Sequence, residues 1–290
     1  MNAARPPVRI GMHASLWAPA WTREAAELAV PEAAAAGIEL IEIPLLQPEA
    51  VDVAHTKAVL AQHGVAASAS LCLPLDDRAG ENPEGARRFL EGAVEVAAAI
   101  GCTFLGGVTY SALGYRSMQP PTEREYDNIA RALKPIAKRC ADHGMLLGIE
   151  PCNRYETHLL NTAAQGVAMR QRIGEPNVTI HLDTYHMNIE EKGFPTGFRI
   201  AGSDGCHYVH VSESDRGVPG TGTIDWEASM RTLAEIGFTG DLVLESFVTL
   251  PPDIAGALSV WRPVARDRHE VLRVGVPFIR SLARVHGLVP

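Results

Sequence analysis

The chain has 290 residues, of which 46% are hydrophobic, with a formal net charge of −8 and five cysteines. That length accommodates one (β/α)8 barrel with some to spare, and the composition is that of an ordinary folded globular protein. The acidic balance disfavours a nucleic-acid partner, whose backbone needs a basic surface, and an anionic membrane surface, but leaves a small neutral substrate open.

No apolar run approaches the ~18 residues that a membrane helix needs. Met1 to Arg9 carries Pro6 and Pro7 but lacks the apolar stretch of a secretory signal, so residues 1–7 read as a flexible extension. Cys72, Cys102, Cys140, Cys152 and Cys206 are odd in number and include no C-x-x-C pair. Neither a disulfide framework nor a thiolate zinc site is expected, and a reducing cytoplasm fits.

In chain order, Val8–Met12 reads as the first strand, and the helix Thr22–Ala36 stops at Gly37. Leu40–Ile43 is the second strand, followed by a helix over Asp52–His63 that Gly64 ends. Val65–Leu71 is the third, then a helix over Pro83–Ile100 closed by Gly101. Phe104–Val108 is the fourth; a polar loop, Thr109 to Pro121, leads to a helix over Glu123–His143. Leu146–Ile149 is the fifth, with a helix over Thr162–Ile173. Val178–Leu182 is the sixth, and helical residues are expected near Ile189–Phe194. Tyr208–Val211 is the seventh, with a helix over Trp226–Ile236. Leu242–Leu244 is the eighth, and a last helix covers roughly Arg268–His286.

Eight strand–helix units, with "AAGI", "QHGV", "AIGC", "DHGM" and "EIGF" at the helix-to-strand joints, predict a closed parallel (β/α)8 TIM barrel, one α/β catalytic domain over residues 1–290. A doubly wound sheet is the alternative, but its G-x-G-x-x-G fingerprint after the first strand is absent.

Barrel chemistry collects at the C-terminal ends of strands. There "LLGIE", "VTIHLD", "HYVHV" and "DLVLE" present Glu150, Asp183, His210 and Glu245 on four consecutive strands. Neighbouring strands lie about 4.8 Å apart, so four such ends converge. Three carboxylates and one imidazole suit Mn²⁺, Co²⁺ or Mg²⁺ and lack the thiolate of structural zinc. His207 lies nearer the strand start, at the stability end of the barrel, and His181 shares the face of Asp183. Cys152 and Tyr155 read as packing residues.

The stretches "GIEPCNRYETHLLNTAAQG", "IHLDTYHMNIEE" and "YVHVSESDRGVPGTGTIDW" resemble the ketose 3-epimerases, the family of D-tagatose, D-allulose and L-ribulose 3-epimerases. The resemblance runs from "RIGMHASLW" beyond "LVLESF", nearly the whole chain. It implies that Glu150, Asp183, His210 and Glu245 bind one divalent ion, usually Mn²⁺ or Co²⁺, and that Glu150 and Glu245 are the two catalytic carboxylates. It further implies that Glu156, His186 and Arg216 bind the ketose near O1 to O3, and that the protein forms a homodimer or homotetramer. Where many members carry an aromatic residue this chain has His13, as L-ribulose-type members do, which leaves the preferred ketose open.

The chemistry is consistent with that implication. C3 of a ketose is acidic because the C2 carbonyl takes the charge as an enediolate, which a divalent Lewis acid stabilises. Inverting C3 needs a base on one face and an acid on the other, roles that two carboxylates exchange with direction. Arg216 offers a fork of donors for O1 and O2 or for a carboxylate such as Glu156, and His186 reads as a donor to a ketose oxygen. The run Gly217–Thr223 offers bare backbone amides that suit phosphate, or else forms a tight turn; the resemblance favours the turn. The competing functions are a 1,2-isomerase of the aldose or hydroxypyruvate type, a multi-zinc endonuclease, and a sugar-binding barrel without activity.

Overall fold

Eight parallel strands pair in chain order and the eighth pairs back with the first, a closed barrel. The computed structural model describes residues 8–248 and 250–290; the extension expected over residues 1–7 lies outside them. The strands are β1 (Arg9–His13), β2 (Leu40–Pro44), β3 (Ala66–Cys72), β4 (Phe104–Val108), β5 (Leu146–Ile149), β6 (Val178–Asp183), β7 (Cys206–Val211) and β8 (Asp241–Leu244). Around them lie α1 (Arg23–Ala35), α2 (Val53–His63), α3 (Pro83–Ile100), α4 (Glu123–Asp142), α5 (Ala163–Ile173), α6 (Thr184–Glu190), α7 (Phe194–Ala201), α8 (Trp226–Glu235) and α9 (Pro252–Leu258). The C-terminal helical run passes from α10 (Arg268–Glu270) through a π-turn, Val271–Gly275, into α11 (Val276–Val285).

Local sequence sets these boundaries. Thr122 and Thr162 open α4 and α5 with reciprocal capping boxes to Glu125 and Gln165, each satisfying two otherwise orphaned donors and contributing about 1 kcal/mol. Gly64 and Gly101 end α2 and α3 at φ +66° and +100°, a backbone that residues with a Cβ avoid. Helix α3 buries Leu90, Val94 and Ala97 on one stripe against the barrel. Truncating Leu90 to alanine costs about 2–5 kcal/mol by the usual core penalty.

Inside the barrel, Leu40, Phe104, Tyr208 and Val243 form a small core of their own. The rings of Phe104 and Tyr208 stack 3.9 Å apart and 2° from parallel. Room for Phe104 comes from Gly106 and Gly148, where an added Cβ would collide with its ring. Nearer the N-terminal ends of the strands, Arg9 of β1 grips Asp241 of β8 through two hydrogen bonds, 2.7 and 2.8 Å, across the closing seam.

The structure corrects the connection after β6. Helical residues were expected near Ile189–Phe194, but α6 begins directly after β6, because the Asp183 carboxylate accepts from the backbone N–H of Tyr185 and His186 and caps it. The chain breaks at Gly193, φ +103°, and resumes as α7. Helix α9, in the loop after β8, was not anticipated.

Candidate active site

The four strand-end residues meet around one nitrogen. His210 Nδ1 lies 3.7 Å from Glu150 Oε1, 3.5 Å from Asp183 Oδ2 and 3.6 Å from Glu245 Oε1. All four side chains are buried, and His210 Nδ1 has no hydrogen-bond partner. Buried charges of one sign persist when they are paired or coordinate a cation. Asp183, His210 and Glu245 offer ligand atoms within 4.8 Å of one another, and Glu150 does so with His181 and His210, so the cluster could hold a divalent ion of the kind that hard oxygens and an imidazole suit.

The electrostatics carry the same demand for positive charge. Burial opposes a charged His210, yet Glu42 and Glu245, with Asp183 and Glu150 close by, hold it well above the ordinary imidazole range. Burial pushes Glu245 up to about 8, with Asp183 and Glu150 adding to the shift and His210 and Arg216 opposing it. Glu150 is equally enclosed, but His181, His210 and His186 outweigh burial and hold it below the usual carboxylate range. Asp183 is also held low against burial, by His210, His186 and Arg216. Its two oxygens divide the work: Oδ1 accepts from Tyr185 N–H at 2.6 Å, and Oδ2 accepts from Ser212 Oγ at 3.0 Å while facing His210.

The remaining predicted residues stand on the wall of one cavity with Glu150, His210 and Glu245. His186 Nδ1 accepts from the backbone N–H of Asn153 at 3.1 Å. Arg216 Nη2 lies 2.8 Å from Nε2 of the same ring. The guanidinium can only donate into this contact, and both groups border the cavity, where a ligand oxygen can take up their remaining donors. Arg216 has left-handed backbone, φ +61°, uncommon for a residue with a side chain. Its guanidinium lies 3.4 Å from Glu245 Oε2 and 3.8 Å from Glu156 Oε1. It is also stacked over the rings of Tyr185 and Phe247, 4.3 and 4.9 Å from their centroids.

Glu42, Asn153 and the α9 residues Ile254 and Leu258 escaped the sequence reading, whereas His13, Cys152, Tyr155, His181 and His207 were named in it. Glu42 of β2 is fully buried against His210; its signal was a lone acid inside the apolar run "LIEIP". Asn153 orients both His186 and Glu156, donating to Glu156 Oε1 at 3.0 Å. His13 lines the cavity, its Nδ1 accepting from Ser15 N–H at 3.2 Å and its Nε2 3.3 Å from Ser70 Oγ. Ile254 and Leu258 of α9 also line it, giving the mouth an apolar rim. Cys152 is buried at the cavity wall, whereas Tyr155 is exposed and packs against no core. His207 lies away from the cluster, hydrogen-bonded to Thr179. His181 faces the barrel interior with Nδ1 accepting from Gly107 N–H.

The glycine-rich run Gly217–Thr223 is organised by Glu213, a buried carboxylate at the end of the preceding segment. It accepts from the N–H groups of Ser214, Gly220 and Ile224 and from Trp226 Nε1, at 2.8 to 3.3 Å. The protein thus supplies its own anion to donors that would otherwise suit a phosphate.

Comparison with known proteins places this geometry. The chain matches the model of the Xylose isomerase-like TIM barrel over residues 30–276. It is 38% identical over 280 residues to a ketose 3-epimerase of Arthrobacter globiformis, an alignment covering 94% of this chain and 96% of that one. It is 37% identical over 277 residues to an L-ribulose 3-epimerase of Methylomonas sp. (strain DH-1), covering 93% and 96%. A crystal structure of D-allulose 3-epimerase from Methylomonas sp. in complex with D-allulose superposes with a TM-score of 0.90 at 35% identity, over 97% of this chain and 99% of that one.

Proposed function

The chain belongs to the ketose 3-epimerases within the xylose isomerase-like TIM barrels, and from that membership we propose that it inverts C3 of unphosphorylated ketohexoses or ketopentoses through Glu150 and Glu245. The observation that carries the reading is the approach of these two carboxylates, from β5 and β8, to the same His210 nitrogen at 3.7 and 3.6 Å. Two proton-transfer groups reached from different strands around one centre suit a reaction that removes a proton from one face of a carbon and returns it to the other.

Glu150, Asp183, His210 and Glu245 would hold one divalent ion, Mn²⁺ or Co²⁺, with Mg²⁺ also suited to the oxygen-rich set. When bound, the ion supplies Lewis-acid stabilisation of the negative charge that develops as C3 loses its proton. Glu150 and Glu245 each take the C3 proton in one direction of reaction and return it in the other. His186 and Arg216 hold ketose oxygens near C1 and C2, and Asn153 fixes the His186 ring for that task. Glu156 accepts from a sugar hydroxyl while its charge steadies Arg216. The apolar rim at Ile254 and Leu258 keeps bulk water from the reacting carbon.

The chain functions as one catalytic domain. Self-association into a homodimer or homotetramer belongs to the same reading, since most homo-oligomers close by symmetric pairing of one surface. No helix among the described residues is long and apolar enough to cross a membrane, and the five cysteines are free thiols, which suits the cytoplasmic location expected from the sequence. The test is a panel of free ketoses incubated with the Mn²⁺-loaded protein and resolved by chromatography. A C3-epimeric ketose is the expected product; an aldose as sole product would make the chain a 1,2-isomerase.

A further inference from the structure

Glu42 is the fourth carboxylate on His210, and it holds the opposite side of the ring. It lies within β2, paired in register with His13 of β1 and Ser68 of β3. Its side chain is wholly enclosed. Glu42 Oε2 accepts from His210 Nε2 at 2.7 Å and from the Tyr208 hydroxyl at 2.6 Å. The Tyr208 hydroxyl spends its proton on Glu42, so it accepts in turn from Ser68 Oγ at 2.6 Å. Tyr208 cannot swing away, because its ring is stacked on Phe104. A chain of hydrogen bonds thus runs from β3 through β7 to β2 and ends on the His210 ring.

An imidazolium surrounded by carboxylates gives up one of its two ring protons when a cation binds, and which nitrogen gives it up decides whether the ring can ligate. Glu150, Asp183 and Glu245 crowd Nδ1 at 3.5 to 3.7 Å and would draw the proton there. A proton on Nδ1 removes the lone pair that a cation needs. Glu42 competes from the other side with a shorter, charge-assisted bond, 2.7 Å, which places the proton on Nε2. An ionised carboxylate has acceptors only, so this contact admits no other arrangement. The same bond fixes the plane of the ring.

We propose that Glu42 is a positioning residue for the cation site, keeping the proton of His210 on Nε2 and the Nδ1 lone pair turned toward Glu150, Asp183 and Glu245, and that Tyr208 and Ser68 hold Glu42 in place for this role. The proposal rests on the reading that those four residues bind a divalent ion. Partners of this kind behind a ligating histidine commonly change metal affinity by about 10- to 100-fold.

The experiment uses the full-length chain stripped of metal and Mn²⁺ as the probe, with affinity read by calorimetry and by the electron paramagnetic resonance of free Mn²⁺. Glu42→Gln keeps the shape and one acceptor but removes the charge. Tyr208→Phe keeps the stacked ring and removes only the hydroxyl that anchors Glu42. Glu42→Gln is expected to weaken Mn²⁺ binding by about 10- to 100-fold, and Tyr208→Phe by a smaller factor in the same direction. Selective ¹⁵N-histidine labelling, with His210→Asn for assignment, follows both ring nitrogens of the metal-free protein as pH is raised and one proton is lost. The wild type should lose the Nδ1 proton first and keep the one on Nε2, and Glu42→Ala should lose that preference. A merely structural role would lower the melting temperature but leave the order of proton loss and the affinity unchanged. If the Glu42 variants do not melt cooperatively, Tyr208→Phe decides. Mn²⁺ affinity within twofold of wild type in every folded variant overturns the proposal. A wild type that binds no Mn²⁺ overturns instead the ligand assignment beneath it.

Discussion

The Tyr110 hydroxyl donates to the backbone carbonyl of Glu150 at 2.9 Å. The Cys152 thiol reaches the same carbonyl at 3.6 Å, and Glu150 N–H donates to Gly107 O at 3.2 Å. The backbone that carries this carboxylate is therefore held from both sides before any ligand arrives, and a substitution confined to the carboxylate tests its chemistry rather than its placement.

Glu150→Gln and Glu245→Gln should each lower net epimerisation by several orders of magnitude while the fold is retained. In D₂O the wild type should place deuterium at C3 of the product. Each variant should still exchange the C3 proton of one epimer, a different epimer for each, since the surviving carboxylate serves one face. Proton NMR of the recovered sugars reads this. Robust epimerisation by either variant with metal bound would falsify the role of that glutamate.

Chelation should abolish activity, and Mn²⁺ or Co²⁺ should restore it. Elemental analysis should give one ion per chain. The ion should also stabilise the fold: at a free concentration about 100 times its Kd, linkage contributes ~2.7 kcal/mol and raises the melting temperature by several degrees. Two or three tightly held ions per chain would favour the endonuclease chemistry instead.

Free ketoses should exceed their phosphate esters in kcat/KM, because Glu213 already engages the loop amides at Ser214, Gly220 and Ile224. A phosphorylated ketose favoured by more than about tenfold, roughly 1.4 kcal/mol in transition-state terms, would reverse this.

The same carboxylate gives a pH-dependent stability. Burial alone would raise Glu213, but the Ser214 N–H, the Trp226 ring N–H and the Gly220 and Ile224 amides outweigh it and lower its pKa. A carboxyl depressed on folding contributes stability that is present above its unfolded pKa and lost as pH falls through its folded one. Glu213→Gln should therefore be less stable than wild type at neutral pH, by about 1–3 kcal/mol for donors left poorly paired. Urea titrations should find that gap narrowing below about pH 4, near the unfolded carboxyl value.

Light scattering at micromolar concentration should give a mass of two or four chains. A monomer at that concentration would remove the assembly from the reading.

The barrel was readable because each unit pairs a short apolar run with a helix stopped by glycine, as at Gly64 and Gly101. The segment after β6 was not, because one residue does two jobs: Asp183 ends the strand and caps the helix that follows, leaving no loop to mark the change. Four cluster residues were legible as acids or imidazole at strand ends. Glu42 was hidden by its place inside a strand, where the end-of-strand rule does not look. Asn153 was hidden for another reason: its link to His186 is made by its backbone N–H as well as its amide, and backbone geometry leaves no mark in residue type. The left-handed turn at Arg216, which aims the guanidinium into the cavity, was equally silent.

Phe104, Gly106 and Gly148 form one unit of inheritance. The aromatic ring occupies the space that a Cβ at either glycine would need, so a lineage gaining a side chain at 106 or 148 must first exchange Phe104 for something smaller. That exchange in turn strips the stacked face from Tyr208, whose hydroxyl reaches Glu42. Drift at two unremarkable glycines on β4 and β5 is thereby coupled to the centre of the barrel, and the three positions should vary together among descendants or not at all.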